Sequence, residues 1–168
     1  IRLAEHYKRY VDAFYRFIFV GRTDAVPRYY STIRALMSEY RLLDERFVFT
    51  GPVPDEELAV YYQHAAVYVS LSEHEGFCAP LLEAMACGTP VVVTDGGALP
   101  EVVGDAGLIV RAGCGDALRE AIDMLLRDSK QREAMALAGL ARVRERYGWD
   151  RVGEAYEALL CEAIDRRC

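Results

Sequence analysis

The chain has 168 residues, about the length of one ordinary domain, and can bury a core without disulfide or metal staples. With 52% hydrophobic and 27% charged residues it is neither disordered nor fibrous. Its 20 Lys and Arg against 26 Asp and Glu give a net charge of −6, which argues against a generic basic surface for nucleic acid.

Two kinds of segment alternate along the chain. Arg2 to Tyr15 reads as helix, and Ile1 is not an initiator methionine, so the chain is expected to begin within a fold, as a fragment of something larger. Phe17-Ile-Phe-Val20 reads as the first strand. Arg28 to Leu43 reads as a helix with Tyr29, Ile33, Leu36 and Tyr40 on one face. Phe47-Val-Phe-Thr50 is the second strand, and Pro54-Asp-Glu-Glu opens a helix whose carboxylates suit its positive start. Val67 to Leu71 is the third strand. Pro80 to Cys87 is a short helix ended by Gly88 and Pro90. Val91-Val-Val-Thr94 and, more weakly, Gly107-Leu-Ile-Val110 complete the strands, and from Asp116 onward helices dominate. Nearly continuous apolar strands predict burial on both faces. The alternation predicts an α/β fold, a Rossmann-like parallel sheet with helices on both faces and a helical C-terminal extension, forming a single domain over residues 1–168.

Charge is distributed unevenly over these elements. Residues 1–50 carry nine basic and six acidic side chains, and residues 106–168 carry eleven of each. Residues 51–105 carry nine acids and no Lys or Arg. A site in that stretch must hold its ligand with carboxylates and backbone, or borrow positive charge from elsewhere. Five cysteines (Cys78, Cys87, Cys114, Cys161 and Cys168) form no C-x-x-C pair and no metal-ligand spacing, which reads as reduced thiols in a cytoplasmic setting. No apolar run approaches the ~20 residues of a membrane span.

Ligands of open parallel sheets bind beyond the carboxyl ends of the strands. The turn after the third strand is the informative one: Ser70-Leu-Ser-Glu-His-Glu75-Gly-Phe-Cys-Ala-Pro80-Leu-Leu-Glu83. Pro80 suits the first turn of a helix, whose leading amides lack intrahelical partners. Those amides, with Gly76 permitting close backbone approach, form an anion cradle that needs no lysine. Glu75 and Glu83 bracket it. Carboxylates accept hydrogen bonds from hydroxyls while amides meet phosphate, which is what a nucleotide sugar requires. Each acid also has a plain reading, Glu83 as a complement to the helix dipole and Glu75 as a solvated loop acid.

The run E-H-E-G-F-C-A-P-L-L-E-A-M-A-C-G-T-P-V-V resembles the E-x7-E signature of retaining glycosyltransferases of the GT-B fold, especially family 4. The likeness continues in F-V-G at 19–21, F-T-G-P-V at 49–53, A-A-V-Y-V-S at 65–70, G-G-A-L-P-E-V-V-G-D-A-G at 96–107, and the tryptophan-led last helix from Trp149. It implies the C-terminal, donor-binding half of such an enzyme. By that resemblance Glu75 contacts hydroxyls of the transferred sugar, Glu83 holds the nucleotide ribose, and the amides of Gly76, Phe77, Cys78 and Ala79 meet sugar and diphosphate. Val53 falls in the loop that meets the nucleobase, and Gly21 in the first glycine loop near the nucleotide.

The chain departs from the family pattern at Cys78, where glycine is more usual: either sugar specificity lives there or the thiol packs inward. By the same resemblance, the basic residues that clamp the diphosphate in the family are expected upstream of Ile1. His74 reads as an ordinary loop histidine, and the tyrosine pairs at 29–30 and 61–62 read as packing. Arg142, Arg144, Arg146 and Arg151 read as a solvated face or one turned toward a missing domain. Gly96-Gly97 reads equally as a close approach to ligand or as plain turn chemistry. Arg22 and Arg111 are weak candidates for the pocket rim.

The expected activity is transfer of a hexosyl group from a UDP-, GDP- or ADP-linked sugar to a hydroxyl of a glycan or lipid-linked acceptor. Glu75 and Glu83 position the donor, with no cofactor or metal required. The acceptor is expected to be bound mainly by a missing N-terminal domain, leaving the isolated fragment inactive. Membrane contact would come only through that missing part, at the cytoplasmic face. The competing reading is an inactive GT-B-like nucleotide-binding or scaffold module.

Overall fold

The computed structural model of the chain describes residues 15–42 and 45–166. The helix expected from Arg2 lies outside these residues up to residue 14. The chain packs as two compact units, Ile1–Val60 and Tyr61–Cys168.

In the first unit β1 (Phe17–Val20) runs parallel to β2 (Phe47–Gly51). The ladder is held by aromatic pairs in register: Phe17 stacks on Phe47 at 5.3 Å between ring centroids and Phe19 on Phe49 at 4.7 Å. Helix α1 (Pro27–Glu39) begins with Pro27, which lacks only an amide that would have no partner there. It is shorter than the sequence pattern, which ran to Leu43. The reason is a Schellman turn in which Leu42 N–H reaches the Met37 carbonyl (2.7 Å) and Arg41 N–H that of Ser38 (3.0 Å). Arg41 takes the left-handed conformation (φ 55°) usual for glycine, and Leu42 is buried with Met37.

Helix α2 (Asp55–His64) carries Asp55, Glu56 and Glu57 in its first turn, where the helix dipole favours them. It runs across the division into the second unit.

That unit contains β3 (Tyr68–Ser70), β4 (Val91–Thr94) and β5 (Leu108–Val110), parallel and in the order β3-β4-β5. Helix α3 (Ala79–Ala86) connects β3 to β4, and α4 (Leu99–Val103) connects β4 to β5. Helices α5 (Gly115–Arg127), α6 (Ser129–Arg146) and α7 (Trp149–Asp165) form the expected C-terminal extension. Val91, Val92 and Val93 are wholly buried, as a continuous apolar strand predicts. With Leu81, Met85, Leu99 and Val103 they form the core. Buried Gly139 of α6 packs on Met85 of α3. No helix among the described residues is long and apolar enough to cross a membrane.

The fold is thus α/β with parallel strands flanked by helices, with two differences from the expectation. The strands form two ladders, β1-β2 and β3-β4-β5, with no ladder joining them among the described residues. And β1 is not buried on both faces: Ile18, Phe19 and Val20 are all exposed. An apolar run specifies a strand, while burial depends on what packs against it.

Candidate functional site

Strand β3 ends at Ser70, and residues 71–78 form the loop that delivers the chain to α3. Glu75 is half-buried in this loop, and Gly76, Phe77 and Ala79 are exposed. Among the described residues no backbone hydrogen bond uses the amides of Gly76, Phe77, Cys78 or Ala79. A Cβ at Gly76 would meet nothing within 4 Å. Glu83 stands one helical turn beyond Ala79, and helical side chains lean toward the N-terminus. That lean turns its carboxylate toward the start of α3. The structure brings Glu75, Gly76, Phe77, Cys78, Ala79 and Glu83 together on one loop and helix start.

Cys78 caps α3 in a left-handed conformation (φ 63°, ψ 66°). This accounts for the glycine more usual there, because a side chain in that region costs about 1–2 kcal/mol. Of the two readings of this residue, inward packing is the one observed: Cys78 is buried in the core cluster that Tyr68 packs against. Burial first, and then Cys78, pushes the Tyr68 phenol above its ordinary range.

The loop is held from behind by the turn after β4. Thr94 Oγ1 donates to the Ser72 carbonyl (2.7 Å), and Ala98 N–H to the Glu75 carbonyl (2.9 Å). Gly96 and Gly97 are needed for this approach. A Cβ on Gly96 would lie 2.4 Å from the Ser72 carbonyl oxygen, and one on Gly97 2.4 Å from that of Glu75. Gly97 also has φ +54°. The two glycines thus bring backbone against the Glu75 loop, a third alternative to ligand contact and plain turn chemistry.

Glu83 has a partner that sequence reasoning missed. Tyr62 Oη donates to Glu83 Oε2 at 3.1 Å. Tyr62 packs edge-on against Tyr68, with ring centroids 5.9 Å apart. Packing is therefore half the role of this tyrosine, and the hydroxyl carries the other half. No local pattern could show this, since the partners are 21 residues apart. Burial first, and then the Glu83 carboxylate, holds the Tyr62 phenol above its ordinary range, so it stays a donor. Burial and Glu83 likewise push the Cys87 thiol up.

The acidic stretch does borrow positive charge, for a structural purpose. Arg142 of α6 donates to the carbonyls of Val102 (2.7 Å) and Glu101 (2.6 Å), closing the C-terminal end of α4. Its side chain is only 14% exposed, with Asp105 3.8 Å away. The solvated reading therefore fails for Arg142. Arg144, Arg146 and Arg151 are exposed.

Gly21 and Val53 belong to the first unit. Gly21 N–H bonds the Gly51 carbonyl (3.0 Å) just after a register shift in the β1-β2 ladder, and Val53 is half-buried beyond β2. Gly21 lines a cleft of about 230 Å³ with Phe19, Arg22, Tyr29, Tyr30 and Phe49. Arg22 pairs there with Asp24 at 3.0 Å and holds that carboxyl below its usual range. Tyr30 packs edge-on against Phe49, as a packing residue should, but Tyr29 is 67% exposed. His74 and Arg111 are exposed. Among the described residues no group of three His, Cys, Asp or Glu side chains is placed to hold a metal ion.

Comparison with known proteins adds the lineage. The family described as "Glycosyl transferases group 1" matches residues 2–142. O-antigen chain mannosyltransferase B of Escherichia coli is 43% identical over 102 residues, 61% of this chain and 26% of that protein. Among solved structures, sucrose-phosphate synthase from Thermosynechococcus elongatus superposes with TM-score 0.80 at 30% identity, covering 96% of this chain and 42% of that one. The C-terminal domain of a glycosyl transferase group 1 family protein (LpcC) from Francisella tularensis gives TM-score 0.72 at 28% identity, covering 88% and 78%. The chain thus spans about a quarter of the E. coli protein and under half of the synthase. Fold and family match agree, and the chain belongs to the glycosyl transferases group 1 family, as a C-terminal domain of GT-B type.

Proposed function

We propose that this chain is the donor-binding domain of a retaining glycosyltransferase that moves a hexosyl group from a nucleotide diphosphate sugar to a hydroxyl of a glycan or lipid-linked acceptor. The observation that carries the reading is the pair Glu75 and Glu83, bracketing a helix start whose leading amides are not used by other backbone. Glu75 accepts hydrogen bonds from hydroxyls of the transferred sugar, and Glu83 from the ribose. The amides of Gly76, Phe77, Cys78 and Ala79 lie against sugar and diphosphate, where the helix dipole favours negative charge. Gly21 and Val53 are assigned to the nucleotide and nucleobase by resemblance alone. Residues 1–168 form one nucleotide-sugar-binding domain on this reading, and a further N-terminal domain of the whole protein supplies most of the acceptor site. The E. coli relative, named as a mannosyltransferase of O-antigen chain, supports a hexosyl group and a glycan acceptor.

Catalysis on this reading rests on orientation and on stabilising the departing diphosphate. A glycosidase would need two carboxyls straddling one glycosidic bond. Here one carboxylate is assigned to the ribose, away from the anomeric carbon. No metal or cofactor is assigned a role, and the site works on the cytoplasmic side, where nucleotide sugars are supplied. The test is calorimetry and turnover with the intact protein. Glu83→Ala is expected to weaken binding of the free nucleoside diphosphate roughly tenfold or more. Glu75→Ala should spare the nucleoside diphosphate and weaken the nucleotide sugar. Unchanged donor affinity and turnover in Glu83→Ala would overturn the assignment.

A further inference from the structure

We propose that Tyr62 is a positioning residue for Glu83, fixing which carboxylate oxygens are offered to the ribose hydroxyls; this rests on the donor-binding role given to Glu83 above. Glu83 is exposed and has three side-chain torsions, so left alone it would sample many orientations. The phenol of Tyr62 meets one oxygen, Oε2, at 3.1 Å.

Tyr62 can act as a rigid post because it is held three ways. Its ring lies edge-on to Tyr68, at 5.9 Å between centroids. Its carbonyl accepts the hydroxyl of buried Thr89 at 2.6 Å. Ala65 N–H bonds the same carbonyl at 3.1 Å. Thr89 is itself fixed by the turn that ends α3, through its N–H to the Ala84 carbonyl at 2.9 Å. The helix that carries Glu83 and the tyrosine that orients it are thereby tied together.

The lone-pair count gives the arrangement its chemical sense. An ionised carboxylate has about four acceptor directions on two oxygens. Among the described residues Tyr62 occupies one on Oε2 and leaves Oε1 open, with one further direction on Oε2. A cis-diol such as the 2′- and 3′-hydroxyls needs two acceptors side by side, and the remaining directions supply them. Tyr62 therefore contributes to recognition of a ribonucleotide without touching it.

The experiment is calorimetry on the intact protein with a nucleoside diphosphate and its 2′-deoxy counterpart, comparing wild type, Tyr62→Phe, Glu83→Ala and the double variant. Phenylalanine keeps the ring against Tyr68, and the thermal midpoint checks the fold. Tyr62→Phe is expected to weaken the ribonucleotide roughly three- to tenfold and to shrink the ribo-to-deoxy preference. In the Glu83→Ala background the same change should have no effect, because the two residues act through one bond. If Tyr62→Phe binds as wild type while Glu83→Ala is weakened, the positioning role is wrong and the donor reading stands. An equal loss in both backgrounds would mark Tyr62 as merely structural, and also overturns the role. If neither single variant changes binding, both readings fall.

Discussion

Strands β1 and β4 are each four residues long, and Phe17-Ile-Phe-Val20 is as apolar as Val91-Val-Val-Thr94. Yet β4 is buried at every position, whereas three of the four residues of β1 are exposed. β4 lies between β3 and β5 in its ladder, while among the described residues β1 has one partner, β2. Apolar content predicts that a segment is extended. How much it stabilises depends on the number of elements that pack on it, and the second unit supplies more of them to β4.

This contrast can be broken by experiment. The largest effect is expected from Leu81→Ala, at a wholly buried side chain beside β4. It should cost about 2–5 kcal/mol in urea denaturation, whereas Val20→Ala, at a residue 36% exposed, should cost under ~1 kcal/mol. Comparable losses at the two positions would break the comparison. The next effect contrasts two glycines of positive φ. Gly97→Ala should cost about 2–4 kcal/mol, because the new Cβ runs into the Glu75 backbone as well as straining its own. Gly21→Ala meets nothing within 4 Å and should bear the backbone cost alone. Donor titration should show weakened binding for Gly97→Ala if Glu75 moves.

Arg142→Ala removes the donors to the Val102 and Glu101 carbonyls and should cost about 1.5–3 kcal/mol, read by the same denaturation. Arg144→Ala, at an exposed neighbour, should stay within about 0.5 kcal/mol of wild type. The last effect has the opposite sign. Arg41→Gly places glycine at the left-handed position ending α1 and should stabilise by about 0.5–1 kcal/mol, visible as a higher thermal midpoint.

The sequence showed which parts of the site are contiguous in the chain. Glu75, Gly76, Cys78 and Glu83 fall within nine residues and follow an apolar strand, so their shared loop and helix start were legible. The supports were not. Thr94 reaches Ser72 across 22 residues, Thr89 reaches Tyr62 across 27, and Arg142 reaches Val102 across 40. Such pairs have no periodicity to betray them, and each member has an unremarkable local reading. Gly96-Gly97 is the instructive case. The dipeptide plainly announced a special backbone, but only the packed turn reveals what it lies against. Cys78 was conspicuous because of the resemblance, and its left-handed backbone explains what is unusual about it.

The clamp of residues 94–98 on the Glu75 loop has a consequence for engineering. Chimaeras made by transplanting residues 72–79 alone would set a foreign loop against Gly96, where even an added Cβ would lie 2.4 Å from the Ser72 carbonyl oxygen. Any loop that carries its backbone slightly differently would collide or lose the Ala98 bond. The transferable cassette is therefore discontinuous: loop 72–79 travels with Glu83 and with the turn from Thr94 to Ala98, or it does not travel intact.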